Sequence, residues 1–289
     1  MKLSNINIFN PLVSIIIPVY NGANYLRCAI DSAINQDYQN IEIIVVNDGS
    51  TDDTEEICKN YGDKIIYFFK ENGGVASALN MAIRNSNGEY ISWLSHDDYY
   101  LPEKISRQIY FLQKIKNNHQ ILLFSDVNCH YIQNDNIIEI VKIEIDIPHF
   151  GLFSKIESLK FLFSTSLHGC SLLIPKTLFQ QTGYFNENLA TTQDYDLWFK
   201  FIKAGYLFYY LPEVLLVSRQ HELQDSRKKR NISKKEEAKL FNNAYKTFIN
   251  DINSSEEDKI FFKKKLKMVN RYMFEFFFNF FLNLKKLIN

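Results

Sequence analysis

Short β-branched runs alternate with amphipathic segments through the first 115 residues, and this alternation constrains the fold more than any other feature. VSIIIPV at 13–19, IEIIVV at 41–46, IIYFF at 65–69 and EYISWL at 89–94 read as buried strands. Each run ends in a polar break: Asn21-Gly22, then NDGSTDD, then ENGG, then Ser95-His96-Asp97-Asp98. Helices are expected between them. The first spans about 23–36, with Leu26, Ile30, Ala33 and Ile34 on one face. The second spans Asp53–Lys59, with Thr51 or Asp52 as its cap. The third covers about 75–85, and the fourth, LPEKISRQIYFLQKI, aligns Ile105, Ile109, Leu112 and Ile115. Strand alternating with helix predicts an α/β fold: a mostly parallel central sheet flanked by helices on both faces.

The pattern changes past residue 120. ILLFSD reads as a strand, and HYIQNDNIIEIVKIEI as a hairpin turning near Gln133–Asn136. A helix near 154–163 leads to a strand in GCSLLIPK. QDYDLWFKFIKAG, 193–205, is an amphipathic helix closed by Gly205. LFYYL and EVLLVSR supply two final strands, and 227–289 reads as a helical extension.

In open α/β sheets, ligands bind outside the carboxyl ends of the strands. Here those ends carry Pro18, Tyr20 and Asn21; Asn47, Asp48 and Gly49; Asn72, Gly73 and Gly74; and Asp97 with Asp98. Neither GxGxxG nor GxxxxGK[ST] is present, so the usual phosphate loops are missing. A divalent cation gripped by carboxylates is the other way to hold a diphosphate. That gives adjacent, mutually repelling carboxylates such as Asp97 and Asp98 a reason to exist. The plain alternative is a polar turn before the next helix.

VSIIIPVYNGANYL, IEIIVVNDGSTDDT, ENGGVASALN and GEYISWLSHDDYYLPEK resemble, in order and spacing, the nucleotide-sugar-binding half of family 2 glycosyltransferases with the GT-A fold. The resemblance continues through HGCSLLIPK, TTQDYDLWFKFIKAG and SRQHELQDS, covering about residues 12–226. It implies a catalytic domain over 1–226, with a donor half at about 12–105 and an acceptor half at about 106–226, followed by the extension 227–289. Pro18, Tyr20, Asn21 and Asp48 match positions that frame the nucleotide base, and Asn72, Gly73, Gly74 and Asn80 match positions near its ribose and phosphates. Asp97 and Asp98 match the end of the acidic metal motif, whose first acid is replaced here by Ser95. Asp97 would also touch the donor. His221 matches a late histidine that reaches the metal, and Arg219 is a positive partner for phosphate. Asp194 matches the catalytic base. Its place at a helix start, with Gln193 in place of an acid before it, predicts an ionised carboxylate. The resemblance implies Mg²⁺ or Mn²⁺ as cofactor and inverting transfer from a nucleotide diphosphate sugar, UDP favoured, to a hydroxyl of a glycan or lipid-linked glycan. A catalytically degenerate scaffold or glycan-binding partner is the alternative, and Ser95 is the feature that favours it.

Charge bears on location. Residues 227–289 hold 16 Lys/Arg against 7 Asp/Glu, a net of +9, while the whole chain sums to zero, so the body carries −9. The segment 259–289 interleaves lysines with the Phe-rich run 274–281, as a helix lying in an anionic membrane interface would. A C-terminal helix packed on the body is the equal alternative. Four cysteines without paired spacing read as reduced thiols, and no cleavable leader or run of about 18 apolar residues is evident. The expected location is cytoplasmic, with peripheral contact on the inner face of the cytoplasmic membrane. Basic charge confined to the tail, with no recognised module, argues against nucleic acid. A nucleotidyltransferase would need Arg or Lys after the first strand, where PVYNGANYL has none.

Overall fold

The structure is a computed structural model, and it describes residues 9–133, 136–142, 149–221, 224, 229–249 and 254–269. Four strands form the parallel part of the first sheet: β1 (Val13–Val19), β2 (Ile41–Asp48), β3 (Ile66–Lys70) and β4 (Tyr90–Trp93). β1 is buried at every position, as a central strand covered on both faces must be. The sheet order is β3-β2-β1-β4, closed by an antiparallel edge strand β9 (Ile174–Pro175). The chain steps outward from β1 to β3 and then returns to the other side of β1 as β4. The carboxyl ends of β1 and β4 therefore flank a topological switch point, where such sheets open a crevice.

Helices α1 (Ala23–Ile34), α2 (Thr54–Lys59), α3 (Val75–Asn85) and α4 (Lys104–Leu112) follow β1 to β4 as the alternation predicts. Leu26, Ala29, Ile30 and Ala33 of α1 are buried, as are Ile105, Ile109 and Leu112 of α4. Lys104 is buried as well. Its Nζ donates to Ser92 Oγ and Gln108 Oε1, both at 2.9 Å, and lies 4.2 Å above the Tyr100 ring. Burial pushes this ammonium down to about 7. Tyr100 donates to the Trp93 carbonyl at 2.6 Å, so the group braces the end of β4.

A second sheet, in the order β5-β10-β6-β7, joins β5 (Tyr99–Tyr100), β6 (Ile121–Gln133), β7 (Asn136–Lys142) and β10 (Leu207–Gln220). β6 and β10 run parallel, β6 and β7 form the expected hairpin, and β8 (Gly151–Leu152) pairs with β10. Two expectations change here. LFYYL and EVLLVSR are one strand, with register shifts between Leu211 and Leu216, beside Pro212, which has no N–H to give the ladder. GCSLLIPK is a short 3₁₀ turn at Gly169–Ser171 before the two-residue β9. The turn crosses the Trp93 ring so closely that a Cβ on Gly169 would lie 2.4 Å from it.

Helices α5 (Lys155–Ser164), α6 (Lys176–Thr182) and α7 (Gln193–Lys203) cover this half. The described part of the extension adds α8 (Arg230–Phe248) and a helix at 256–269, α9. Both pack on the body. Phe163 of α5 meets Phe241 of α8 at 4.8 Å and Phe262 of α9 at 5.0 Å between ring centroids. Phe248 and Leu266 join the same buried cluster. The Phe-rich run 274–281 lies outside the described residues.

Candidate donor and catalytic site

The loop after β1 is tied to the loop after β2. Asn21 adopts φ 49°, a left-handed conformation that asparagine tolerates better than most residues. Its N–H donates to Ser50 Oγ at 2.9 Å, and its side-chain oxygen accepts from the Thr51 N–H at 2.8 Å. The Asp52 carboxylate accepts from the Ala23 N–H at the start of α1, and from both the N–H and hydroxyl of Thr54. Burial would raise its pKa, but these hydrogen bonds outweigh burial and leave it lowered. Asn21 and Asp52 thus shape the crevice wall. Pro18 is buried beside them and Tyr20 is half exposed at the rim, open to a stacking partner.

Asp48, at the end of β2, is buried. Its Oδ1 accepts from Lys70 Nζ at 2.7 Å and the Gly73 N–H at 3.0 Å, and its Oδ2 from the Gly74 N–H at 2.8 Å. Three of a carboxylate's roughly four acceptor sites are filled, and one remains on Oδ2 for a ligand N–H. Gly49 has φ 77°, and a Cβ there would lie 2.7 Å from the Asn72 backbone nitrogen. Gly49→Ala is therefore expected to cost about 1–3 kcal/mol of stability and to loosen the Asp48 clamp. Urea unfolding checks this, and an unchanged midpoint would contradict it. The Asn72, Gly73 and Gly74 backbone forms the exposed lip of this pocket. Asn80 is different. Its amide is committed to the Phe185 carbonyl and N–H, both at 2.9 Å, and to Glu187 Oε1 at 2.7 Å. It locks α3 to the 185–187 loop.

Asp97 and Asp98 follow β4 and face different surroundings. Asp97 Oδ2 lies 3.2 Å from His221 Nε2 and 3.1 Å from Gln224 Nε2. Burial opposes its charge, but the hydrogen bond from His221, the neighbouring His96 and the Gln224 amide hold it well below the usual carboxylate range. Asp98 is almost wholly buried and accepts the Arg219 N–H at 3.0 Å. Burial first, and the Asp97 charge second, push its pKa well above the usual range. The two adjacent carboxylates are thus pushed in opposite directions.

Beneath Asp98 lie His168, whose Nε2 is 3.5 Å from its Oδ2, and Cys170. Among the described residues these three form the one group of three or more His, Cys, Asp or Glu with ligand atoms within 4.8 Å of one another. Its chemistry is soft, and burial disfavours charge on it, pushing the Cys170 thiol well up and the His168 imidazole down to about 4. Mg²⁺ and Mn²⁺ prefer charged oxygen donors. The Asp97–His221 pair fits them better. Asp97 is held well below the usual carboxylate range, and among the described residues His221 Nδ1 is buried without a hydrogen-bond partner.

The Arg219 guanidinium donates to the carbonyls of Asp97, Tyr25 and Asp98 and packs on the Tyr25 and Tyr99 rings. In this conformation it supports the acidic loop. Ser95, where the family pattern has an acid, places its N–H and hydroxyl 3.3 Å from Cys170 Sγ.

Asp194 is the second residue of α7, after the N-cap Thr192. Its Oδ1 accepts the Tyr195 N–H at 2.8 Å. The expectation of an ordinary ionised carboxylate is corrected here. Burial pushes its pKa up to about 7, the Tyr195 N–H only partly offsets this, and the Glu237 charge adds to the rise. The Tyr195 hydroxyl donates to the Thr165 carbonyl and accepts the Leu167 N–H, anchoring α7 to the strand of chain that leads to His168 and Asp98. The structure therefore gathers Asp97, Asp98, Arg219 and His221 at one loop, gathers Asp48 with Gly73 and Gly74 at another, and links the Asp194 turn to the first. Sequence reasoning missed Lys70, His168, Cys170 and Gln224. HGC and ENGG were visible as motifs, but only contacts between distant segments give these residues partners.

Known proteins agree with this architecture. The family model for glycosyl transferase family 2 matches residues 14–172, and the chain belongs to that family. An uncharacterised glycosyltransferase of Rickettsia typhi is 50% identical over 225 residues, which are 75% of this chain and 67% of that one. Against a longer Rickettsia felis relative, 49% identical, the match covers 77% of this chain and only 36% of the relative. The Escherichia coli UDP-Glc:alpha-D-GlcNAc-diphosphoundecaprenol beta-1,3-glucosyltransferase WfaP is 33% identical over 198 residues, 67% of this chain and 71% of that one. Staphylococcus aureus TarS 1–349, solved with UDP-GlcNAc, superposes with TM-score 0.66 over 88% of this chain and 71% of its own, at 18% identity. A Pyrobaculum calidifontis mannosyltransferase, solved with GDP-Man and Mn²⁺, gives TM-score 0.59 over 92% and 70%, at 20% identity. The fold is the GT-A fold of such transferases, a mixed α/β core with helices in the C-terminal part. Among the described residues, no helix is long and apolar enough to cross a membrane.

Proposed function

We propose that this glycosyltransferase carries out inverting, metal-assisted transfer from a UDP-sugar to a hydroxyl of a glycan or lipid-linked glycan. The observation that carries the proposal is the Asp97 carboxylate 3.2 Å from His221 Nε2 at the switch point, with the Asp194 turn anchored to the same region. Tyr20 offers a face to the base, and the free site on Asp48 Oδ2 suits an N–H such as that of uracil N3. Asp97 and His221 would hold Mg²⁺ or Mn²⁺, which when bound supplies positive charge to the diphosphate as it leaves. Asp194 accepts the proton of the acceptor hydroxyl, whose oxygen attacks the anomeric carbon from the face opposite the diphosphate. A base with a pKa of about 7 suits proton transfer near neutrality.

Family membership and the UDP-glucose and lipid-diphosphate substrates in the WfaP name support donor and acceptor class. The metal in the mannosyltransferase complex supports the cofactor. The division into a domain over 1–226 and an extension over 227–289 stays part of the proposal, as does cytoplasmic location with peripheral membrane contact through 259–289. Within that segment Phe262 and Leu266 are spent on the core, so contact would fall to residues beyond 269.

The test is release of UDP from UDP-glucose, UDP-GlcNAc and other UDP-sugars, with Mn²⁺ or with EDTA. Metal-dependent release from one of them is expected. No release from any donor, including GDP- and dTDP-sugars, would move the reading to a binding scaffold, the alternative that Ser95 favours.

A further inference from the structure

Helix α8, outside the region matched by the family model, sends one carboxylate back toward the turn that carries Asp194. Glu236 Oε1 accepts the Ala190 N–H at 2.8 Å. Its Oε2 accepts the N–H groups of Thr191 and Thr192 at 3.0 and 3.2 Å, and their hydroxyls at 2.9 and 3.1 Å. Five donors from three consecutive residues thus converge on one side chain. These residues lead directly into α7, whose N-cap, Thr192, makes no capping hydrogen bond of its own with its side chain. Helix starts leave N–H groups without partners inside the helix and carry partial positive charge. The Glu236 carboxylate places negative charge at this positive end, satisfies the N–H of the N-cap Thr192 and fixes the two residues before it. Burial raises its pKa, but the hydrogen bonds outweigh that and leave it lowered, as a carboxylate saturated with donors should be.

We infer that Glu236 is the positioning residue for Asp194, and that this is one task of the C-terminal extension. The inference rests on the proposed role of Asp194 as base. Glu236 satisfies the donors at 190–192, so Asp194 is left with only the first-turn amides of α7 to accept. Its carboxylate takes only main-chain N–H groups of its own turn, which leaves it available to an incoming hydroxyl. Phe241, one turn and a half further along α8, fixes the register of the helix by packing on Phe199 of α7 at 5.5 Å. The clamp and the base-bearing helix therefore move as one unit.

The test uses the full chain with Glu236→Gln, Glu236→Ala, Asp194→Asn and the double variant Glu236→Ala/Asp194→Asn. Hydrogen exchange of the amides at 190–196 is read first, because it needs no substrate. Exchange faster by about tenfold or more in Glu236→Ala, confined to that segment, is expected from loss of a cap. Turnover of UDP-glucose with Mn²⁺ is read second. Displacing a base by about an ångström costs about 10²-fold in kcat, so Glu236→Ala should lose that much while its donor Kd stays unchanged. Glu236→Gln, which keeps the shape and one acceptor oxygen, should fall between. In the Asp194→Asn background, Glu236→Ala should cost nothing further, because it acts through a base already gone. Unchanged exchange at 190–196, or equal losses in both backgrounds, overturns the inference. Full activity of Asp194→Asn would instead overturn the base assignment and leave the exchange result to judge the clamp.

Discussion

Asp194→Asn is expected to lower kcat by about 10²–10⁴-fold while donor Kd stays the same, since it removes a base and no donor contact. The pH dependence gives the sharper form of this prediction. Asp194 works as a carboxylate, and burial pushes its pKa up to about 7. In the wild type kcat should therefore rise about tenfold per pH unit below that value and level off above it. The residual activity of the Asn variant should show no such limb. Stability moves the opposite way. A carboxyl with a raised folded pKa binds its proton more tightly in the native chain than in the unfolded one. Its stabilising contribution is full below the unfolded pKa and lost as pH rises through about 7. Asp194→Asn should therefore melt above the wild type at pH 8, with the gap narrowing at pH 5 and closing only below about pH 4. A gap that grows toward low pH would contradict the assignment. A stability cost at a functional carboxylate is the usual trade between activity and folding.

The second large effect separates the two adjacent carboxylates. Asp97→Asn should raise the Kd for a UDP-sugar measured with Mn²⁺ by more than the roughly 10–100-fold that loss of an outer partner of a metal ligand costs. Asp98→Asn should cost far less donor affinity, because Asp98 is buried, already pushed toward its neutral form, and engaged with the Arg219 N–H and His168. An amide can still accept the Arg219 N–H. Equal losses in both variants would show that the pair acts together. The split comes from burial and from partners that belong to β10 and the loop after it, on the far side of the fold from β4 in sequence.

That origin shows what was legible in the sequence. Strands β1 to β4 and their helices announce themselves through period and punctuation, and the strand ends that matter are read directly from VSIIIPVYNG and YISWLSHDD. The α/β class follows from those local signals, and the resemblance of the motifs at the strand ends implies the GT-A family. Roles set by distant partners do not. Asn80 appears as a donor contact by motif, and the structure spends its amide on residues 185 and 187. Arg219 appears as a phosphate partner, and its guanidinium holds main-chain carbonyls. Asp194 appears ordinary because no acid precedes it, yet burial and Glu237 of α8 raise its pKa. By charge and composition the end of the extension reads equally as a helix on a membrane or a helix packed on the body, and in its described part Phe241, Phe248, Phe262 and Leu266 are core. Charge and composition count residues, and burial depends on which face of a helix meets a partner.

The most direct measurement is a calorimetric titration of UDP into the wild type, Asp97→Asn and Asp98→Asn, each with and without Mn²⁺. Binding that requires Mn²⁺ in the wild type, persists in Asp98→Asn and disappears in Asp97→Asn is the predicted result. UDP binding that neither Mn²⁺ nor Asp97→Asn alters would contradict the claim that Asp97 holds the cation that holds the diphosphate.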